Sequence, residues 1–214
     1  MRPDQTFPRT CKALIILAAR GFLFDPAGML SRFLSFQALC STWNLSAKLM
    51  SPRDLSERFD EHIADSLSLA PYLLSRPGNF RTLVDIGAGA GFPSMPLCLL
   101  LPELRAVIIE RNETKATFLR NAVKNFAIAN ATILSKNYPH LELPQTTLTY
   151  TARAVETPSE IDQEILRRLK PEDIYLAQRD ISHLAGIHAR TVEKLDDEFR
   201  AAGLRRGTLH RIAG

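Results

Sequence analysis

LVDIGAGAGFP, residues 83–93, is the stretch on which the reading of this chain turns. A short apolar run ends in an acid, Asp85, and Gly87, Gly89 and Gly91 then alternate with small residues before an apolar segment begins. Such a pattern reads as a strand, a tight turn and a helix start. Glycine serves where the backbone takes a positive φ or where a ligand must approach with no Cβ in the way. The helix that follows offers unpaired N–H groups at its positive end. A nucleotide-like ligand fits that combination.

Spacing separates the nucleotides. Dinucleotide sites use G-x-G-x-x-G, whose third glycine lets the helix pack closely on the strand. Here that third position is Phe92, and the glycines run G-x-G-x-G instead. This favours S-adenosylmethionine, which carries no phosphate, so the loop must make room for a ribose and a methionine chain rather than cradle an anion. Glu110 points the same way: it ends the next apolar run, AVIIE, where a carboxylate can accept from both ribose hydroxyls. An NAD(P) oxidoreductase stays in competition, with Arg111 beside Glu110 in its favour and Phe92 against it.

With 214 residues the chain holds one α/β domain and an appendage. A net charge of +4 suits a polyanionic partner without requiring one. Cys11, Cys40 and Cys98 are odd in number and lack C-x-x-C spacing, so reduced thiols, a cytoplasmic location and no metal site are expected. The apolar segment from Ala13 to Ala19 is stopped by Arg20 with no cleavage pattern after it, which argues against a signal peptide. No stretch approaches the roughly 20 apolar residues of a spanning helix.

Residues 1–24, with Pro3 and Pro8, read as a loosely held extension. A helical part is expected over 25–75. Its first helix starts with Asp25 as N-cap and Pro26 at the first position, carries Met29, Leu30, Phe33, Leu34, Phe36 and Leu39 as its stripe, and ends near Trp43, where Asn44 and Ser46 break the pattern. The second starts at Ser51 and runs through Leu55, Phe59, Ile63 and Leu67; His62 and Asp65 lie off that face and read as a solvated or partly buried polar pair. After Arg76-Pro77-Gly78-Asn79, residues 76–214 read as strands at 82–86, 106–110, 131–135, 148–152 and 174–177 alternating with helices at 93–101, 114–127 and 158–169. A charged amphipathic helix at 190–202 and a short strand near 209–212 follow. Alternation of this kind predicts a doubly wound, mostly parallel α/β sheet with its ligand outside the carboxyl ends of the strands.

Several stretches together resemble the bacterial small-subunit (16S) ribosomal RNA guanine-N7 methyltransferases, the glucose-inhibited division protein B family. They are TWNLS at 42–46, EHIADSL at 61–67, VDIGAGAGFPSMPL at 84–97, FLRNAV at 118–123 and ARAV at 152–155, in the family's order and spacing. The resemblance implies a Rossmann-like S-adenosylmethionine-dependent methyltransferase domain behind a small helical N-terminal part. It places cofactor contacts on Gly87, Phe92, Asn137, Tyr138 and Arg153, beside the Gly89 and Glu110 read from the pattern itself. Tyr138 could stack on the adenine, and Arg153 could pair with the methionine carboxylate or with an RNA phosphate. The chain departs from the family at Glu61, which stands where the family usually has arginine, at Asn137-Tyr138 in place of V-E, at Thr114-Lys115 in place of a basic pair, and at Ala177-Gln178-Arg179 in place of L-K-G.

The resemblance implies ribosomal RNA or the small subunit as partner, with no membrane and no metal, and a monomer is expected. Guanine N7 has a free lone pair and no proton, so the reaction calls for positioning rather than for a general base, and no catalytic residue is singled out. There is no N-P-P-Y or D-P-P-Y after the fourth strand, as exocyclic-amine methyltransferases carry, and no Pro-Cys nucleophile there; Cys98 reads as core. RNA contacts are expected from scattered arginines including Arg205, Arg206 and Arg211. A methyltransferase for another RNA or a small molecule, and a silent binding module that kept the fold, are the remaining alternatives. The charge inversion at Glu61 and the missing late lysine motivate the silent module.

Overall fold

β1 (Leu74–Arg76) and β2 (Asn79–Phe80) pair with each other ahead of the main sheet, and β3 (Thr82–Ile86) is the strand from which that sheet spreads in both directions. β4 (Ala106–Ile109) pairs with it on one side and β5 (Ala131–Leu134) lies beyond, while β6 (Leu148–Ala152) pairs on the other side and β7 (Ile174–Ala177) lies beyond that. These five run parallel. β9 (His210–Ala213) then pairs antiparallel with β7, and β8 (Thr191–Lys194) antiparallel with β9, to give a seven-stranded sheet of order β5-β4-β3-β6-β7-β9-β8. Because the order reverses at β3, the crevice at its carboxyl end is the topological switch point where open α/β sheets bind ligands. The computed structural model describes residues 6–76, 79–138, 140–153, 158–181, 184, 191–205 and 207–214.

Side chains alternate between the two faces with the strand period of two. Leu83, Ala106 and Ile108 enter one apolar cluster; Val84, Ile86, Val107 and Ile109 enter the other. The first cluster also takes in the helical N-terminal part, so those helices cover the same face as α5 (Ser94–Leu100) and α6 (Glu113–Asn125). α7 (Pro158–Arg168) covers the opposite face through Ile165 and Leu166.

The N-terminal part departs from expectation in three ways. Residues 1–5 of the expected loose extension, 1–24, lie outside the described residues, but the rest is not loose, because α1 (Pro8–Ala19) buries Ala13, Leu14 and Leu17. The helix has no side-chain cap of its own; Asp60 reaches across from α4 (Phe59–Leu67) and accepts from the N–H groups of Arg9 and Thr10, each at 2.8 Å. α2 (Pro26–Ala47) begins at the Asp25 cap, as its sequence predicts, but runs past Trp43. Asn44 stays helical and its amide grips Met50 N–H and C=O at 3.0 and 3.1 Å, so it shapes the turn after the helix instead of ending it. Finally, the helix expected from Ser51 is two. α3 (Pro52–Ser56) is capped by Ser51, and a break at Glu57–Arg58 lets Phe59, Ile63 and Leu67 turn fully inward on α4 while Leu55 is only half-buried.

The charged segment near the C-terminus is also misread by its periodicity. Residue 190 lies outside the described residues, and the rest forms β8, a connection and α8 (Glu198–Ala201). β8 is exposed along its whole length at the sheet edge, where charged side chains are tolerated in a strand as readily as on a helix.

Candidate cofactor site

Strand register builds the site. Ile86, Ile109 and Ala152 are level across β4, β3 and β6, so the residues that follow them, Gly87, Glu110 and Arg153, leave the sheet side by side. Gly87, Gly89 and Gly91 all take positive φ, at 74°, 57° and 91°. Their roles differ. A Cβ on Gly91 would stand 2.5 Å from Met95 Cγ and 3.1 Å from Leu119 Cδ2, so this glycine lets α5 and α6 pack. A Cβ on Gly89 would meet nothing within 4 Å, so this glycine borders open space.

Glu110, 6% exposed, ties the loop to its neighbour: Gly89 N–H donates to one carboxylate oxygen at 2.9 Å and Asn112 N–H to the other at 2.8 Å. Each oxygen keeps a lone pair for a hydroxyl donor. Asp85 lies behind the loop, fully buried, and accepts from the N–H and hydroxyl of Ser94 on one oxygen. Its other oxygen has no partner among the described residues. Burial raises the Asp85 carboxyl to about 7, against the pull of Ser94 and Arg153.

Arg153 is the residue most changed by tertiary context. Its Nη1 forms an ion pair with Asp65 Oδ2 at 3.0 Å, its Nη2 contacts His62 Nδ1, and its guanidinium carbon stands 5.9 Å from the centroid of the Phe92 ring. Nη1 nevertheless makes no aligned hydrogen bond among the described residues, which leaves an N–H for a ligand. His62 Nε2 lies 3.2 Å from Asp54 Oδ1. Burial and Arg153 lower the His62 pKa, so the neutral ring presents Nδ1 as an acceptor to the arginine. Burial raises the Asp65 pKa despite Arg153, Arg205 and His62. His62 and Asp65, expected as a solvated or partly buried pair, are thus bracketing Arg153, and their three-residue spacing on α4 was the signal available.

Phe92 and Tyr138 are placed differently from the other expected contacts. The Phe92 ring is 7% exposed and sits among Phe36, Phe59 and His62 at 5.3 to 5.6 Å, joining the loop to α2 and α4. The Tyr138 ring is buried in the second apolar cluster with the Arg168 guanidinium 5.3 Å from its centroid, while Asn137 before it is exposed. Val155 and Arg206 lie outside the described residues. Cys98 is buried in α5, where burial raises its thiol to about 12. Among the described residues no group of three His, Cys, Asp or Glu could hold a metal ion, and no helix is long and apolar enough to cross a membrane.

A glycine loop at the switch point, an acid closing the neighbouring strand and an antiparallel last strand inserted beside β7 define a Rossmann-like S-adenosylmethionine-dependent methyltransferase. Solved structures of the same fold include a mutant of MtNAS in complex with S-adenosylmethionine, with a TM-score of 0.55 at 12% identity over 83% of this chain and 72% of that one. Human methyltransferase 10 domain containing protein matches with a TM-score of 0.53 at 12% identity over 85% of this chain and 95% of that one. Residues 29–201 match the family described as rRNA small subunit methyltransferase G. Ribosomal RNA small subunit methyltransferase G of Xanthomonas campestris pv. campestris (strain B100) is 32% identical over 77% of this chain and 74% of its own length. The Nitrosomonas europaea protein of the same name is 30% identical over 74% of this chain and 68% of its own length. The chain belongs to the rRNA small subunit methyltransferase G family.

Proposed function

We propose that this chain methylates N7 of a guanine in 16S ribosomal RNA, acting in the cytoplasm as a monomer. The observation that carries the reading is the row of Gly87, Glu110 and Arg153 at the carboxyl ends of three parallel strands. S-adenosylmethionine supplies an electrophilic methyl group on a sulfonium. The residues present fit it: Gly89 leaves open space, Glu110 retains acceptor capacity for ribose hydroxyls, and Asp85 has a buried oxygen with no partner among the described residues that suits the α-ammonium group. Arg153 would hold the methionine carboxylate with the N–H that Asp65 leaves unaligned. Gly87 opens the loop with its positive φ, Phe92 braces it through Phe36, Phe59 and His62, and the exposed Asn137 would meet the adenine.

Gly89, Glu110, Asp85 and Arg153 would hold the cofactor, which would give its methyl group to the N7 lone pair and leave as the neutral thioether, the guanine ring taking the positive charge. No proton leaves N7, so the enzyme supplies position and field rather than a base. Mapping reverse-transcription stops at chemically cleaved 7-methylguanine, in RNA from cells with and without this protein, tests the proposal: one stop in 16S RNA should vanish with the gene, and an unchanged pattern rejects guanine N7 of this RNA as the target.

A further inference from the structure

A pocket of about 260 Å³ opens beside Arg153, lined by Asp65, Arg153, Gln178, Arg205, Gly207 and Thr208. Its place follows from the sheet. Thr151 is level with Leu176 across β6 and β7, so Gln178 leaves β7 alongside Arg153, and the pocket lies outside the carboxyl ends of both strands, next to the cofactor loop. Gln178 donates through Nε2 to the Asp65 carbonyl at 3.4 Å, while its Oε1 is buried with no hydrogen-bond partner among the described residues. A buried acceptor left open costs free energy unless a ligand fills it. Gly207 contributes open space where a side chain would stand.

Arg205 cannot serve as a free cation here. Its guanidinium already donates to Leu195 O at 3.0 Å, Asp197 Oδ2 at 2.8 Å and Ser68 Oγ at 3.3 Å. Arg153 is held by Asp65 and His62, and its remaining N–H is assigned above to the cofactor's carboxylate. The pocket therefore offers acceptors, the Asp65 carboxylate and Gln178 Oε1, to a ligand that brings donors.

Resting on the guanine-N7 reading, we propose that this pocket receives the Watson–Crick edge of the acceptor guanine, with Gln178 Oε1 and the Asp65 carboxylate accepting from its N1–H and 2-amino group. The chemistry of the reaction selects this edge. Guanine is most often read by an arginine fork on O6 and N7, which would occupy the lone pair that must attack the methyl group. Reading N1–H and the amino group leaves N7 unengaged, as enzymes that act on an extruded base generally require of their target atom.

The test uses the full chain, small ribosomal subunits from cells lacking it, and single-turnover methyl transfer. GMP should compete with the subunit about tenfold better than IMP, which lacks the 2-amino group, and AMP should not compete. Gln178→Leu should slow transfer by about tenfold or more and erase the preference for GMP over IMP, with affinity for the demethylated cofactor unchanged. Gln178→Glu, which keeps an acceptor oxygen, should retain the preference. Equal competition by GMP and AMP, competition by inorganic phosphate, competition by no nucleotide, or a wild-type rate in Gln178→Leu each overturns the pocket assignment. Wild-type protein that binds no cofactor overturns the underlying methyltransferase reading instead.

Discussion

Gly89 and Gly91 show how one motif divides its work. At Gly89 a side chain would enter open space and would hold φ at 57°, a conformation that costs other residues about 1–2 kcal/mol. Gly89→Val should therefore fold with a modestly lower melting temperature but lose binding of S-adenosylmethionine in calorimetry; retained affinity in the folded variant would make the loop a turn and nothing more. Arg153→Lys keeps the charge but loses the planar fork, and cofactor affinity should fall by about 1–3 kcal/mol, the range for charge-assisted hydrogen bonds. If affinity holds while transfer slows, the arginine serves the RNA.

Asp85 gives a pH dependence. Its carboxyl titrates near 3.8 when unfolded and at about 7 when buried in the fold, so the native state binds this proton more tightly. The neutral carboxyl's contribution to stability is complete below about pH 4, declines as pH rises, and is gone above about pH 7. Thermal melts of Asp85→Asn should thus gain on wild type between about pH 4 and pH 7. A constant difference across that range would show that the group is not protonated in the folded protein.

Among the elements, α1 depends most on a distant partner. Asp60 on α4 closes its N-terminus through Arg9 and Thr10, including the Thr10 hydroxyl at 2.6 Å. Asp60→Ala should cost about 1–2 kcal/mol, as for loss of an ordinary cap, read from denaturant midpoints at constant slope. Glu61 lies next to it, 3.7 Å from Arg9 and 3.3 Å from Arg58. The charge inversion that set this chain apart from its resemblance thus has an intramolecular use, in holding α1 and the α3–α4 connection.

The whole molecule is closed by its C-terminal hairpin. Arg205, expected to contact RNA, is 1% exposed in its side chain and ion-paired to Asp197 at 2.8 Å; Tyr72 donates to the same carboxylate. Arg205→Ala should destabilise the fold by about 3–5 kcal/mol, the cost of orphaning one member of a buried pair, without changing the salt dependence of RNA binding. A stable variant with a shallower slope would return Arg205 to the RNA. Truncation before residue 203 would remove β9, whose Ile212 is buried between β7 and β8, so it tests folding rather than RNA affinity.

The glycine loop, the acids Asp85 in β3 and Glu110 after β4, and the alternation of strand and helix were legible in the chain because each is a local pattern of period and turn chemistry. That local code carried the parallel core and the places of Gly87, Gly89 and Glu110 at the strand ends, whereas Arg153 was singled out by the family resemblance. It could not place His62 and Asp65, which become meaningful only when α4 lies beside the end of β6, some 90 residues later in the chain. Nor could it separate α1 from a loose tail, since its cap comes from Asp60, or β8 from a charged helix, since an exposed edge strand shows no apolar alternation. Tyr138 went into the core and Arg205 into an ion pair for the same reason: side-chain type is written locally, but burial and partner are set by which elements the sheet brings together.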